Sequence, residues 1–305
     1  MFMAHYLVTG GAGFIGTNLV RQLMVDGHQV RILDNFSAGR FKDRIVVGAE
    51  YIGGDVREAG DVFRAMENID GVFHLAAIPR VSQTVDEPFE THEHNVLGTL
   101  QVLLASRAQG NVKVVFSSSS AVYGNQPLFP LVETMKTAPL SPYGLQKFES
   151  EEYCRLFSEL YGVPTVSLRY FNVYGPHMDP NGAYALVVGK FLLARQKNEP
   201  MTICGDGEYF REYLHVQDVV RANILAMTSS KVGKGEVFNI GSGRSTSVND
   251  LAHLIGGPVT YVPPRPGDPR RSEADCSRAR TILGWQPSIA LEDGIREMKR
   301  LWNVN

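Results

Sequence analysis

The chain has 305 residues, enough for a large hydrophobic core and for one or two domains. Hydrophobic residues make up 44% and charged residues 20% of it, as in an ordinary globular protein. The formal net charge of −2 gives no bulk attraction to nucleic acid or to an anionic membrane surface, so a polyanion-binding role is disfavoured.

Export and membrane insertion are not predicted. No apolar run approaches the roughly 20 residues of a membrane-spanning helix, and residues 1–10 lack the basic start and cleavage site of a signal peptide. The cysteines are scattered and odd in number, as expected in a reducing compartment. The histidines show no metal-ligand spacing, because His92 and His94 stand two residues apart and do not share a helix face. We therefore expect a cytoplasmic protein without a metal.

Short β-branched runs alternate with amphipathic stretches through the first half of the chain. Strands are predicted at residues 6–8, 30–33, 72–75, 112–116 and 165–169, and helices at residues 14–25, 59–66, 91–109 and 141–161. Strands separated by helix-length segments predict a parallel, doubly wound sheet, because a parallel connection must cross over a face of the sheet. After about Asn172, Gly and Pro become frequent and the elements become shorter, which predicts a smaller lobe.

A glycine-rich turn joins the first predicted strand to the first predicted helix. Its sequence at residues 9–16, Thr-Gly-Gly-Ala-Gly-Phe-Ile-Gly, lets backbone N–H groups approach a pyrophosphate at the helix N-terminus. Asp34 ends the next strand, 18 residues after Gly16, where a carboxylate can accept hydrogen bonds from ribose hydroxyls. Its negative charge would repel a 2′-phosphate, which favours NAD over NADP, although Arg40 nearby keeps NADP open. The alternative is a structural turn beside a surface aspartate.

These features predict a Rossmann domain that binds NAD over residues 1–172, with its sheet completed by parts of 205–245. The rest, 173–305, is predicted to be mainly a smaller α/β lobe that binds the substrate. A second acid, Asp55, follows the next strand in Gly-Asp-Val, where it could meet the adenine; an N-cap or turn aspartate fits nearly as well. The predicted cofactor contacts in this region are Gly10, Gly13, Phe14, Ile15, Gly16, Asp34, Asn35, Asp55 and Val56.

Tyr143 and Lys147 stand four residues apart in a predicted helix, so both side chains leave one face. An ammonium beside a phenol lowers the pKa of the phenol, as a base working near neutral pH requires. That spacing alone also fits a solvated helix face. The serine run at 117–120 closes a buried strand, and it places hydroxyls at the carboxyl edge of the sheet, where such folds bind ligands. A polar turn would use serines as well, but the combination predicts a catalytic set.

Together these motifs resemble the extended short-chain dehydrogenase/reductase family and, within it, the branch of UDP-sugar 4-epimerases. The resemblance covers nearly the whole chain. It rests on the glycine turn, His-Leu-Ala-Ala at 74–77, the serine run with Val-Tyr-Gly at 122–124, Tyr-x-x-x-Lys at 143–147, Tyr-Phe-Asn-Val-Tyr-Gly at 170–175, Arg-Glu-Tyr-Leu-His-Val at 211–216 and Arg-Pro-Gly-Asp at 265–268.

The resemblance implies that Tyr143 is the acid/base on the sugar 4-hydroxyl and that Lys147 lowers its pKa and holds the nicotinamide ribose. Ser119 is implied to hydrogen-bond the same sugar oxygen. The implied reaction is transient oxidation of C4 by tightly bound NAD, followed by return of the hydride to the opposite face. Asn95 matches an asparagine of the family in the helix behind the site. The further cofactor contacts implied are Leu75, Ala76, Ala77, Asn95 and Tyr170.

The residues at two positions disfavour a related reaction, the removal of water from the sugar. Relatives that remove water from the sugar place an Asp-Glu pair directly after the position of Ser119. Here those positions hold Ser120 and Ala121, so no carboxyl is available for the extra proton transfers. A dehydratase is therefore disfavoured.

Arginines in the second half of the chain suit a diphosphate, because their forked donors match its oxygens. Arg211 and Arg265 are the candidates, and the resemblance implies that Asn172 contacts a phosphate or the nucleoside. It also implies that Asp268 contacts the ribose or fixes Arg265. The complete set of predicted substrate contacts is Arg80, Ser119, Ser120, Asn172, Arg211, Arg265, Asp268 and Ser272.

Two features favour an N-acetylated sugar. Asp-Pro-Asn-Gly-Ala-Tyr at 179–184 resembles a loop of bacterial epimerases that prefer UDP-N-acetylhexosamines. Ser272 stands where narrow-pocket galactose epimerases carry a tyrosine, which leaves space beside the 2-substituent. An ordinary turn and an exposed serine would look the same. The predicted substrates are UDP-N-acetylglucosamine and UDP-N-acetylgalactosamine, with UDP-glucose and UDP-galactose as further candidates.

Two alternatives stay open at this point. Arg80 could favour a carboxylate, which would make the protein a UDP-glucuronate 4-epimerase. A non-enzymatic NAD-sensing protein of the same fold is the second alternative, although such proteins tend to lose the tyrosine or the lysine. The family is commonly dimeric through helices, so the helices predicted at 91–109 and 141–161 are candidate interface helices of a homodimer.

Overall fold

A parallel sheet with helices on both faces forms the larger part of the molecule. The computed structural model describes residues 3–37, 44–179, 187–264 and 270–304. In chain order the strands of these ranges are β1 (His5–Thr9), β2 (Gln29–Asp34), β3 (Glu50–Gly53), β4 (Gly71–His74), β5 (Lys113–Ser119), β6 (Thr165–Tyr170), β7 (Val173–Tyr174), β8 (Met201–Cys204), β9 (Phe210–Glu212), β10 (Leu214–His215), β11 (Glu236–Ile240), β12 (Ser245–Ser247) and β13 (Val259–Val262).

The helices connect these strands and cover the sheet. They are α1 (Phe14–Val25), α2 (Ala59–Met66), α3 (Val81–Asp86), α4 (Pro88–His92), α5 (Gly98–Ala108), α6 (Pro142–Tyr161), α7 (Val187–Gln196), α8 (Val216–Thr228), α9 (Val248–Ile255), α10 (Ser277–Leu283) and α11 (Leu291–Leu301). A π-helical turn, Glu93–Leu97, separates α4 from α5, and a 3₁₀ turn, Ser120–Val122, follows β5. Nowhere in the four described ranges does a helix reach the length and apolarity needed to cross a membrane.

Within the described residues the main sheet has seven strands in the order β3-β2-β1-β4-β5-β6-β11, all parallel. One face packs on α1 and α8 through side chains such as Leu19 and Val219. The other face packs on α2, α5 and α6 through Val62, Val102 and Phe157. The sequence therefore predicted the doubly wound Rossmann sheet correctly, and the reversal of strand order at β1 and β4 opens a crevice at the carboxyl edge.

A second, smaller core lies in the C-terminal part of the chain. Three short strand pairs, β7 with β10, β8 with β13 and β9 with β12, accompany α7, α9 and α11. Phe191, Leu251 and Ile295 lie in this core. The smaller α/β lobe was expected, while the division of the chain into domains at residue 172 stays a prediction.

The long helix predicted at 91–109 is instead two helices joined by a π-helical turn. The Asn95 carbonyl accepts hydrogen bonds from the Thr99 and Ser150 hydroxyls, at 2.7 and 3.0 Å. Side-chain donors thus satisfy a backbone acceptor where the regular helical ladder is broken. Hydrophobic periodicity does not register such a turn, because the apolar face continues through it.

The start of α1 packs directly on the glycine turn, which yields a stability prediction. A Cβ added at Gly16 would lie 2.2 Å from the Gly10 carbonyl oxygen, so Gly16→Ala must displace α1. We expect it to lower the free energy of unfolding by about 1–3 kcal/mol. In Gly60→Ala, the matched control, the new methyl meets nothing within 4 Å, and stability should stay equal or rise by up to about 1 kcal/mol. Denaturant unfolding of both variants is the measurement, and equal midpoints would contradict the close contact.

Candidate active site

The glycine turn after β1 forms a cradle against the segment that follows β4. Gly10 has φ +69°, and a Cβ there would lie 2.7 Å from the Ala76 backbone nitrogen. The N-cap of α1 is Gly13, which provides no side-chain cap, so the first backbone N–H groups of the helix remain available to an anion. Only a residue without a side chain allows this close approach of the turn to Ala76, and the helix N-terminus beside it is the kind of site that binds a pyrophosphate.

Asp34 is held beside this turn by backbone donors. Its Oδ2 accepts the Ala12 N–H at 2.9 Å, and its Oδ1 accepts the Phe36 N–H at 2.7 Å. Burial raises the pKa of Asp34, and the two N–H groups and the Arg44 charge partly offset that rise. Arg44 itself is buried and donates through Nε to the His177 carbonyl; it was not predicted from the sequence. Arg40, which kept NADP open, lies outside the described residues.

Asp55 has a different environment at the end of β3. Its Oδ1 accepts the Arg57 backbone N–H at 2.9 Å, which is a turn role, and both carboxylate oxygens accept from the Arg57 guanidinium. The Asn35 amide donates to Oδ2 at 3.0 Å. Burial works to raise the pKa of Asp55, but the bonds from Arg57 and Asn35 outweigh it and lower that pKa to about 2. A contact of Asp55 or Val56 with adenine stays a prediction.

The structure brings the predicted catalytic helix to the end of β5. Ser141 caps α6 by accepting the Gly144 N–H at 3.2 Å, and Pro142 occupies the first turn. A Cβ at Gly144 would lie 2.6 Å from the Ala121 carbonyl oxygen, so the first turn of α6 touches the turn that follows Ser119. Ser119 ends β5, and its Oγ accepts the Ala121 N–H at 3.2 Å. Tyr143 is therefore carried on the helix end that lies against Ser120–Val122.

Lys147 lies one turn further along α6 and is 3% exposed. Its Nζ donates to the Ser117 carbonyl at 2.7 Å and lies 6.0 Å from the centre of the Tyr143 ring. Burial lowers the pKa of Lys147 to about 8, and the charge of Glu151 opposes that shift. A cation at this position favours the phenolate form of a neighbouring tyrosine.

Asn95 and two residues not predicted from the sequence join α6 to the segment after β4. Asn95 accepts the Ile78 N–H at 2.7 Å and donates to the Ile78 carbonyl at 2.9 Å and to Gln146 Oε1 at 2.7 Å. The Tyr143 N–H donates to Thr84 Oγ1 at 3.1 Å. Asn95 was chosen by motif, whereas Gln146 and Thr84 stand among other polar residues and give no signal in the sequence. A direct contact of Asn95 with the cofactor stays a prediction.

Several other predicted cofactor contacts lie at the same edge. The Ala76 N–H donates to Thr9 Oγ1 at 3.2 Å, which aligns the residues 75–77 beside the glycine turn. Tyr170 ends β6 next to Ser119 in register, and its hydroxyl pairs with the Asn223 amide.

His74 is buried between the Thr9 and Thr99 hydroxyls, and burial followed by the Lys147 charge lowers its pKa to about 3. It is therefore a neutral structural group.

The predicted substrate residues fall into two groups. Arg211 on β9 and Ser272 are neighbours, because Ser272 donates its N–H to the Phe210 carbonyl at 3.1 Å. Asn172 has φ 30° at the end of β6 and donates to the Glu212 carbonyl at 3.0 Å.

The second group of predicted substrate residues includes Arg80, which follows β4. Its side chain is exposed and donates through Nε to Ser82 at 3.0 Å. Arg265 and Asp268 lie outside the described residues, as do positions 180–184 of the loop that resembles N-acetylhexosamine epimerases.

Comparison with known proteins places the chain in a family. Residues 6–241 match the model of the NAD dependent epimerase/dehydratase family. The UDP-glucose 4-epimerase of Mycolicibacterium smegmatis is 40% identical over 302 residues, which cover 95% of each chain. The structure of UDP-glucose 4-epimerase from Thermotoga maritima with UDP-glucose is 41% identical, with a TM-score of 0.92 over 98% of each chain.

A second solved structure is equally similar in fold. It is a UDP-N-acetylglucosamine 4-epimerase from Methanobrevibacter ruminantium in complex with UDP-N-acetylmuramic acid, 37% identical, with a TM-score of 0.93 over 99% of each chain. With these identities along almost its full length, the chain belongs to the NAD dependent epimerase/dehydratase family, which confirms both the family resemblance and the NAD cofactor predicted from the sequence.

Proposed function

We propose that this protein is an isomerase that inverts C4 of a UDP-hexose, and that its substrates are UDP-N-acetylglucosamine and UDP-N-acetylgalactosamine. The observation that carries the proposal is the packing of the Tyr143 end of α6 on the turn after Ser119, with the Lys147 ammonium buried one turn behind. The relatives named as UDP-sugar 4-epimerases over the full chain length support the same reaction.

The chain supplies three functions at the reacting carbon. Tyr143 moves the proton of the sugar 4-hydroxyl, Lys147 stabilises the phenolate that results, and Ser119 holds the 4-oxygen by a hydrogen bond. NAD, when bound along the glycine cradle, supplies a hydride acceptor and donor. Neither Ser120 nor Ala121 offers a carboxyl group, so the proton transfers of a dehydration have no donor or base there.

Two features support the proposed preference for an N-acetylated sugar: Ser272 and the resemblance of the loop at 179–184. Ser272 is bonded through its N–H to the Phe210 carbonyl beside Arg211, and a small side chain at the sugar pocket would leave room for a 2-acetamido group. UDP-glucose and UDP-galactose are the plain-hexose alternative, and UDP-glucuronate is the alternative that Arg80 would favour. Incubation with a panel of UDP-sugars, with C4 inversion followed by NMR, separates these candidates.

We also propose that the active protein is a homodimer. Leu145, Leu156 and Leu160 line one side of α6 and are exposed, and Phe89 on α4 is 78% exposed. Exposed apolar side chains concentrated on neighbouring helices are typical of an interface. A self-complementary helix face buries itself most simply against a second copy across a two-fold axis.

Tyr143→Phe tests the assignment of the proton-transfer group. The variant keeps the ring and loses the hydroxyl, so kcat should fall by about 10²–10⁴, the contribution typical of a general acid–base group. NMR of C4 inversion gives the rate. A folded, NAD-containing variant that retains most of its activity would exclude Tyr143 from this role.

Ser272→Tyr tests the sugar pocket. A phenol ring beside the 2-substituent overpacks the site by about 1–3 kcal/mol, so kcat/KM for the UDP-N-acetylhexosamines should fall about ten- to a hundredfold while UDP-glucose and UDP-galactose are spared. Ser272→Ala is the control and should leave all four substrates unaffected. Equal losses on both classes of sugar would mean that Ser272 does not line this pocket.

Leu156→Glu combined with Leu160→Glu tests the dimer. Two carboxylates in an apolar interface would be desolvated without partners, so the variant should sediment as a monomer while the unmodified protein sediments as a dimer. Leu301→Glu alters an equally exposed apolar residue on α11, away from this face, and should remain dimeric. A monomeric unmodified protein, or a variant that stays dimeric, would contradict the proposed interface.

A further inference from the structure

An ion pair is buried directly behind the predicted catalytic residues. Glu151 lies one helical turn after Lys147 on α6, and Arg169 lies on β6 opposite Ser118 of β5. The Arg169 guanidinium donates to Glu151 as a fork, from Nε at 2.9 Å and from Nη2 at 2.7 Å. Both side chains are buried, so the pair is shielded from solvent screening.

Glu151 also holds the strand that carries Ser119. The Ser118 hydroxyl donates to Glu151 Oε1, while the preceding carbonyl, that of Ser117, accepts from Lys147. Two consecutive residues of β5 are therefore bonded to two side chains one turn apart on α6. A shift of Glu151 would therefore change the position of the end of β5 relative to α6.

Arg169 is fixed on its far side by neutral groups. Its guanidinium lies 4.7 Å from the centre of the Tyr123 ring, whose hydroxyl donates to the Asn239 side chain at 2.6 Å. Desolvation of two buried charges offsets most of their mutual attraction, so such a pair adds little net stability. Because the pair lies next to Lys147, it can also act on the charge of that lysine.

Among the described residues, Glu151 is the negative charge that acts on Lys147. The other titratable groups near Lys147 in this part of the chain are Tyr143 and Cys154 on α6 and His74 on β4, with Arg169 on β6 beyond Glu151. Burial, then Glu151, raises the pKa of Cys154 to about 12, and burial lowers that of His74 to about 3, so both are neutral near pH 7. The Phe116 ring, 4.9 Å away, adds only a weak cation–π contact.

We propose that Glu151, held by Arg169, is a positioning residue of this site: it fixes the Ser118 hydroxyl beside Ser119 and places a buried negative charge one helical turn from the Lys147 ammonium. This inference rests on the proposed function for its kinetic consequence. Its electrostatic consequence is a change in the titration of Lys147, which can be measured without turnover.

The two members of the pair should act on Lys147 in opposite directions. Glu151→Gln leaves the Arg169 cation unpaired near the ammonium, so Lys147 should lose its proton at a lower pH. Arg169→Gln leaves the Glu151 carboxylate unpaired, so Lys147 should hold its proton to a higher pH. Damage to packing alone would not move the titration in opposite directions.

The test is the titration of Lys147 by NMR of isotopically labelled lysine side chains, with its signal assigned by its loss in Lys147→Met. We expect a fall of about one pH unit in Glu151→Gln and a rise of similar size in Arg169→Gln. Arg169→Lys keeps the charge and should leave the titration near that of the unmodified protein. Should one glutamine variant fail to fold, the sign of the shift in the other still decides. An unmoved titration, or shifts of the same sign, would overturn the proposal.

Kinetics then separate this inference from the proposed function. The alkaline limb of the kcat profile should follow the lysine titration, since loss of the Lys147 proton removes the charge that favours the phenolate of a neighbouring tyrosine. Absence of C4 inversion in the unmodified protein would overturn the epimerase assignment and leave the lysine shifts standing. An active protein whose lysine titration ignores both substitutions would overturn the role of Glu151 alone.

Discussion

The buried ammonium of Lys147 is the group on which the arrangement of the candidate site depends. An ion shielded from water needs partners inside the protein, because an unpaired buried charge is strongly destabilising. Its partners are the Ser117 carbonyl and the Phe116 ring on β5 and the Glu151 carboxylate on α6. They can all be reached only while α6 lies against the end of β5. That same packing brings the Tyr143 end of α6 to the turn after Ser119. The requirement to pair the buried Lys147 charge therefore also places the tyrosine.

Local patterns were sufficient to predict much of the fold. Helices α1 and α2 have the predicted bounds, because each is a single amphipathic segment between turn residues. The parallel sheet followed from the alternation of strands and helices. The π-helical turn between α4 and α5 was not predicted, and one of the two hydroxyls that bond the Asn95 carbonyl there belongs to Ser150 on α6, 55 residues away in the chain. Helix α3 is too short, with six residues, to show periodicity.

The candidate site was predictable where function requires a residue type at a fixed spacing, and not where it requires a partner from elsewhere. The glycine turn and the Tyr143–Lys147 pair are of the first kind. Arg169, which pairs with Glu151 on another element, is of the second kind. It is an ordinary arginine in the sequence, and only the register of β6 with β5 brings it to the acid on α6.

The polar bonds around Asn95 also fix the segment after β4 to α6. This one amide bonds both the N–H and the carbonyl of Ile78, and its remaining N–H goes to Gln146, next to Lys147. A shift of this segment, which carries Arg80, would leave buried polar groups without partners. Each such group would lower the free energy of unfolding by about 1–3 kcal/mol. The segment therefore cannot move without disturbing α6. The backbone at Ser272 is bonded instead to the Phe210 carbonyl on β9, so a substitution there leaves the bonds between this segment and α6 intact.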